Sequence, residues 1–323
     1  MDNINSSDLK TILHSKRANI YYLEHCRVLV NGGRVEYVTD EGKQSFYWNI
    51  PIANTTSILL GTGTSVTQSA MRELSKAGVM VGFCGGGGTP LYSSTEGVFD
   101  ILWMSPQSEY RPTQYLQSWF RMWSDEDKRL ASAKKLQELR IDFIQETWLE
   151  KVNTFDKSFR FDAPSLLSIL DRYRTNIRSA KTIMEIFSVE ANFTKQLYKM
   201  VCKMVNYPLF VRVKQGKGTD PANRNLDYGN YLAYGLGATA TWVLGLPHGL
   251  SILHGKTRRG GLVFDAADLI KDALVLPQAF ISAIQGQEDQ EFRTCCIHNF
   301  LNGEALDYMI DSLKEIAKLY GDS

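Results

Sequence analysis

Residues 247–272 read PHGLSILHGKTRRGGLVFDAADLIKD, and this segment holds many of the chain's chemically informative side chains. It contains two histidines, four strong cations and three aspartates within an apolar pattern. Residue 265 is expected to precede a helix, and helical spacing predicts that Asp265, Asp268 and Asp272 share one of its faces. Because three like charges on one face repel, we expect a positive group opposite them.

Two kinds of positive group can balance these carboxylates. One is a hard divalent cation, which His254 could also ligate through a ring nitrogen. The other is the set of neighbouring basic side chains, among which the guanidinium groups cannot coordinate a metal but suit phosphate. These basic residues are Lys256, Arg258, Arg259 and Lys271. Carboxylates, an imidazole and cations in one segment favour a site for phosphodiesters.

The same acids also have a simpler interpretation, as the ordinary start of a helix. Asp265 could be only an N-cap, with Asp268 at the third helical position where the helix dipole favours an acid. His254 could likewise be a histidine of a loop or of the core. A further acid, distant in sequence from these aspartates, is needed to decide between the two interpretations.

Glu190 is that acid. It lies within a mostly apolar stripe whose members are spaced four and three residues apart, which predicts one face of a helix. An acid on such a stripe is partly desolvated, and its charge persists only if it is paired, hydrogen-bonded or bound to a metal. The stripe runs through Ile183, Phe187, Thr194, Leu197, Val201 and Met204.

Composition sets the class of protein. The chain has 323 residues, 44% of them hydrophobic and 22% charged, which is typical of a globular protein with room for two domains. It has no apolar run near the roughly 20 residues of a membrane span, and its N-terminus lacks signal-peptide features, so we expect a cytoplasmic protein without a membrane partner. Five cysteines without CxxC spacing disfavour a disulfide framework and a structural zinc site.

Charge restricts how such a chain could bind nucleic acid. The formal net charge is only +1, so binding must come from a local patch rather than from a general cationic field. Residues 212–272 provide such a patch, because this stretch contains eight Lys or Arg residues, five Asp and no Glu, which gives a net charge of +3.

The chain changes character near residue 100. Before it, a hairpin is predicted where Asn31-Gly32-Gly33 is flanked by CRVLV and RVEYV. More strands are predicted at FYWNIPI, TSILLG and VMVGFC, and one helix is predicted at SVTQSAMRELSKAG. After it, long helical patterns dominate, one of them expected to be capped by Asp227. We therefore predict an α+β fold: an N-terminal β-sheet domain with one helix, residues 1–100, followed by a larger all-α C-terminal domain, residues 101–323.

A series of segments, in this order, resembles one family: YYLEHCRVLV, ILLGTGTSVTQ, VGFCGGGGTPLY, SVEANFTKQLY, DPANRNLDYGNYLAYG, LSILHGKTRRGG and FDAADLIKD. The chain is similar to the CRISPR-associated integrase of spacer acquisition, the universal first protein of those systems, and most similar to its type I-F branch. The resemblance implies that the β-rich domain forms most of a homodimer interface and that the helical domain is catalytic.

The resemblance also implies a site and its partners. A divalent metal is expected to bind Glu190, His254 and Asp268, with Asp265 as a further catalytic acid. One histidine with two carboxylates suits Mg²⁺ or Mn²⁺ better than structural zinc. The implied partners are DNA, as protospacer ends and CRISPR repeat, a second copy of the chain, and a companion adaptation protein fused to a nuclease-helicase.

The expected reaction is metal-dependent integration of DNA by transesterification, with endonucleolytic hydrolysis as the same chemistry on water. The basic residues of the segment 247–272, Lys256, Arg258, Arg259 and Lys271, are expected to bind DNA phosphates.

Two other functions stay open at this point. A non-catalytic nucleic-acid-binding scaffold would use the acids only as caps and ion pairs, and a small-molecule phosphohydrolase would enclose the metal in a pocket.

Overall fold

The structure is a computed structural model. It describes residues 17, 19–41, 44–84, 102–104, 113–150, 155, 162–208, 210–213, 220–254 and 260–320. The chain divides into two compact units, residues 1–111 and residues 112–323. Three residues predicted to bind DNA, Lys256, Arg258 and Arg259, lie outside the described residues, as does the glycine cluster at 85–88.

The first unit is built mainly from strands. One four-stranded sheet has the order β1-β5-β7-β8, with β8 antiparallel to β7 and the other pairs parallel, and a second has the order β4-β3-β2-β6. The described elements are β1 (Asn19–Leu23), β2 (Arg27–Asn31), β3 (Arg34–Glu41), β4 (Gln44–Asn49), β5 (Thr55–Leu60), β6 (Ser65–Val66), α1 (Gln68–Lys76), β7 (Met80–Phe83) and β8 (Leu102–Met104).

Local sequence explains these elements. The predicted hairpin joins β2 to β3 in antiparallel register, and its turn uses Gly32 and Gly33 at φ values of +55° and +81°, which side chains with a Cβ rarely adopt. Thr67 caps α1 by accepting a hydrogen bond from the Ala70 N–H. Strand β5 is buried along its whole length, although only its second half, residues 58–60, is apolar.

The second unit is helical throughout its described elements. A π-helical turn at Lys271–Val275 connects α7 to α8, so the two form one continuous helical rod. The helices are α2 (Thr113–Trp123), α3 (Glu126–Gln145), α4 (Ala163–Ser179), α5 (Ile183–Met204), α6 (Pro221–Val243), α7 (Gly261–Ile270), α8 (Leu276–Gln285), α9 (Asp289–Asn302) and α10 (Ala305–Lys318).

Helix α6 packs closely against α7. A Cβ added to Gly237 would lie 2.6 Å from the Val263 carbonyl oxygen, so only glycine permits this approach. The expected cap of α6 was wrong: the helix starts at Pro221 with Asp220 as its N-cap, and Asp227 lies inside it. Aspartate followed by proline is a strong start signal, because proline fits the first helical position.

The described structure confirms the predicted α+β class, with strands first and helices after them. Among the described residues, no helix combines the length and the apolar composition that crossing a membrane requires.

Candidate active site

Asp265 is held inside α7 rather than at its start. The helix begins at Gly261 after Gly260, which has a φ of +74°, so the interpretation of Asp265 as an N-cap was wrong. Its carboxylate is fully buried and accepts hydrogen bonds from the backbone N–H groups of Ile252 and Leu253. The backbone N–H of His254 donates to the same carboxylate. These donors satisfy a charge that burial would otherwise make costly.

The His254 side chain makes a further contact with Asp265. Its Nδ1 lies 2.7 Å from Asp265 Oδ1, and an ionised carboxylate can only accept, so Nδ1 carries a proton. In the neutral ring the lone pair is then on Nε2, which lies 3.8 Å from Asp268 Oδ2. Burial lowers the pKa of His254, but the hydrogen bond to Asp265 and the charge of Asp268 outweigh it and raise the pKa above its ordinary value.

Asp268 is buried, and Lys271 pairs with only one of its two carboxylate oxygens. Its side chain is 1% exposed, its Oδ1 is in ion-pair contact with Lys271 Nζ, and its Oδ2 has no hydrogen-bond partner among the described residues. Burial raises the pKa of Asp268, but Lys271, His254 and Arg140 outweigh that effect and keep it below its ordinary value. The result is an ionised, inward-facing oxygen next to a ring nitrogen lone pair, a donor pair suited to a metal ion.

Glu190 projects from α5 toward an arginine of α3. Its Oε1 lies 2.6 Å from Nη1 of Arg140, and its side chain is 13% exposed. Arg140, 1% exposed, also donates to Asp272 through Nε at 2.9 Å and through Nη2. Burial lowers the pKa of Arg140, but Asp272 and Glu190 outweigh that effect and hold it well above the ordinary value. The acid predicted to be desolvated is therefore paired.

Two tryptophans of α2 fix the loop that carries His254. Trp119 Nε1 donates to the Leu250 carbonyl at 2.8 Å, and Trp123 Nε1 donates to the Ser251 carbonyl at 2.9 Å. The following N–H groups, of residues 252–254, donate to Asp265. The loop is thus held on its carbonyl side by α2 and on its amide side by α7, which fixes the direction of the His254 ring.

Comparison with known proteins identifies the family to which the chain belongs. The family model described as CRISPR associated protein Cas1 matches residues 21–312. The chain belongs to the Cas1 family. It is 60% identical to a Pseudomonas aeruginosa protein named CRISPR-associated endonuclease Cas1, over 98% of each chain. The family predicted from the sequence is confirmed.

Two solved structures share the Cas1 fold with this chain. A complex of TtCas1 with DNA aligns with a TM-score of 0.63 at 20% identity, covering 92% of this chain and 91% of that one. A casposase bound to an integration product aligns with a TM-score of 0.62 at 16% identity, covering 92% and 82%. At these identities the likeness supports the fold alone.

Within this member of the Cas1 family, the predicted site residues fall into groups. His254 contacts both Asp265 and Asp268, and Asp268 also contacts Lys271. Glu190 is connected to them through α5, where Phe187, one turn earlier, lies 5.9 Å from the His254 ring. Within the described ranges, no three His, Cys, Asp or Glu side chains already stand in metal-binding geometry.

Arg140 is the site residue that sequence reasoning missed. The signal was present, because Arg140 lies four residues after Leu136 and three before Phe143, both buried on α3. A charged side chain on a buried stripe needs a partner, which is the argument that singled out Glu190. Each stripe therefore carries one half of the same ion pair.

Proposed function

We propose that this chain is a metal-dependent DNA endonuclease and integrase of CRISPR adaptation. The observation that carries the proposal is the juxtaposition, 3.8 Å apart in a buried site, of His254 Nε2 and Asp268 Oδ2, an oxygen without a hydrogen bond from any described residue. The name of the Pseudomonas aeruginosa relative, an endonuclease, supports it. The DNA and the integration product bound by the two structural neighbours support it further.

Glu190, His254 and Asp268 would hold a divalent metal, Mg²⁺ or Mn²⁺. The residues fit such an ion. Asp268 Oδ2 is buried and has no hydrogen-bond partner in the part of the chain that the structure describes, and the other ring nitrogen of His254 contacts a carboxylate, the usual arrangement of a metal-bound histidine. When bound, the ion would supply charge stabilisation at a phosphoryl oxygen and ease ionisation of the attacking hydroxyl.

The protein side chains have separate tasks in this proposal. Asp265 is a positioning residue, because its contacts with three backbone N–H groups and Nδ1 leave it to fix the imidazole rather than to ligate. Lys271 keeps Asp268 ionised and places a positive charge beside it, where negative charge develops on the phosphate. We assign Lys256, Arg258 and Arg259 to the DNA phosphates on the basis of their sequence position.

The reaction balances without an external energy source. A DNA 3′-hydroxyl attacks a phosphodiester of the CRISPR repeat, one P–O bond forms and the P–O3′ bond breaks. The proton lost by the attacking hydroxyl is matched by the proton taken up by the departing 3′-oxygen. Hydrolysis follows the same course with water as the nucleophile.

We propose further that the β-rich unit pairs two copies and that the companion adaptation protein binds the resulting dimer.

A labelled 3′-OH duplex, a supercoiled repeat plasmid and the companion protein would test the proposal in Mg²⁺ or Mn²⁺. We expect the label to join the plasmid with wild type and to stay free with Glu190→Gln. Glu315→Gln is the matched control, because Glu315 pairs with Lys135 on the surface of the helical unit. A non-catalytic scaffold would bind the duplex and leave wild type and Glu190→Gln indistinguishable in joining.

A further inference from the structure

Arg140 contacts two acids with different parts of its guanidinium group. Nε and Nη2 donate to Asp272, and Nη1 donates to Glu190. The group is also held by Gln137, whose Oε1 lies 3.1 Å from Nη1, and by the Phe193 ring, whose centroid lies 5.7 Å from the guanidinium carbon. A planar fork fixed by this many neighbours presents Nη1 in a single direction.

Glu190 uses only one of its oxygens in this contact. Oε1 accepts from Arg140, while Oε2 has no hydrogen bond to any described residue. We propose that Arg140 is a positioning residue that holds Glu190 by Oε1 and presents Oε2 to the metal ion. The inference rests on the proposed metal site. In that site each ligand has its own orienting partner: Asp265 for His254, Lys271 for Asp268 and Arg140 for Glu190.

The charges explain why a cation can stand beside a metal site. A lone guanidinium would repel the incoming ion, but Asp272 contacts it directly and is itself 6% exposed, so the Arg140–Asp272 pair is neutral overall. Asp272 therefore makes it possible for Arg140 to orient Glu190 without a net electrostatic penalty. This assigns Asp272, the third aspartate of α7 and its extension, to Arg140 rather than to the metal.

The double variant Arg140→Met with Asp272→Asn isolates the orienting effect, because it removes one charge of each sign. Removing an outer partner of a metal ligand weakens metal binding by about 10- to 100-fold, and we expect a loss of that size for Mn²⁺ by titration calorimetry. The matched control is Arg174→Met with Asp142→Asn, a neutral pair of the same kind joined at 2.7 Å on the exposed face of the unit. It should bind Mn²⁺ like wild type.

Arg140→Lys provides a second route if the double variant does not fold. It keeps the positive charge but replaces three contacting nitrogens by one, so Mn²⁺ affinity should fall while the melting temperature without metal shows a folded protein. Wild-type Mn²⁺ affinity in a folded double variant, or in folded Arg140→Lys, would overturn the role of Arg140.

Glu190→Gln separates this failure from failure of the metal site itself. If Glu190→Gln binds Mn²⁺ weakly while the double variant binds it normally, Glu190 is a ligand and only the Arg140 inference is wrong. If Glu190→Gln binds Mn²⁺ as wild type does, or if wild type does not bind Mn²⁺, the proposed set of metal ligands is wrong and so is the inference about Arg140.

Discussion

Replacing Asp268 with Asn should lower the stability of the metal-free protein and remove its stabilisation by metal, and one experiment can separate the two effects. If the three aspartates only repelled one another, Asp268→Asn would leave the stability without metal unchanged or raise it. The structure instead pairs Asp268 with Lys271. Breaking a fully buried pair costs about 3–5 kcal/mol, and Lys271 keeps 21% exposure, so we expect the lower end, about 3 kcal/mol. For a unit of roughly 200 residues that lowers the melting temperature by about 6–12 °C.

The same substitution should abolish the stabilisation by metal. At Mn²⁺ concentrations about 100 times the Kd, a site present only in the folded state adds about 2.7 kcal/mol, which raises the wild-type melting temperature by about 5–11 °C. Melting curves of wild type and Asp268→Asn with and without Mn²⁺ measure both effects. An undiminished rise in the variant would refute Asp268 as a ligand.

A companion variant tests the pairing argument. Asp268→Asn combined with Lys271→Met removes both charges, so it should recover part of the lost stability while still failing to respond to Mn²⁺. If Asp268→Asn alone melts like wild type without metal, the ion pair contributes nothing and the argument from burial is wrong.

Two further predictions follow from the site and its basic segment. The pKa of His254 is raised above its ordinary value of 6.5 in the folded protein, so its protonation stabilises the fold below that pH and the contribution is lost as pH rises through the raised pKa. The stability difference between wild type and His254→Gln without metal should therefore shrink as pH rises through the raised pKa, while the Mn²⁺-induced rise of wild type grows, and the reverse trends would contradict this. Arg258→Ala with Arg259→Ala should reduce the slope of log affinity against log salt for duplex DNA by about 1.8, and an unchanged slope would remove both side chains from the phosphate contacts.

Short-range patterns were enough to predict the hairpin, several further strands and the one helix of the first unit, but not how the strands are ordered in two sheets. The hairpin of β2 and β3 follows from two β-rich runs around Gly32 and Gly33, and α1 follows from its apolar spacing before Gly78. These signals are local, because a turn residue or a cap acts on neighbours within a few positions. Where two local signals competed, at Asp220 and Asp227, the stronger combination of aspartate and proline decided the start of α6.

His254, Asp265 and Asp268 were predicted from their clustering in one segment and from the family resemblance, whereas Glu190 was predicted because it does not fit the apolar residues around it. Glu190 was found because an acid interrupts an apolar stripe, and the structure gives it the partner that burial demands. Arg140 is 50 positions away in sequence, so nothing local connects the two.

The cap interpretation of Asp265, one of the two left open, was wrong because the helix begins at Gly261 and the carboxylate accepts from backbone N–H groups of residues 252–254. Contacts between residues 11 to 13 positions apart leave no periodicity to detect.

The most direct test of the proposed metal site is an anomalous difference map from crystals of the protein grown with Mn²⁺. We expect one strong peak at coordination distance, about 2.0–2.3 Å, from His254 Nε2, from an oxygen of Asp268 and from Oε2 of Glu190, with Arg140 still on Oε1. Crystals of Asp268→Asn grown in the same way should lack the peak. A peak at any other set of side chains, or none in wild type at saturating Mn²⁺, would contradict the proposed metal site.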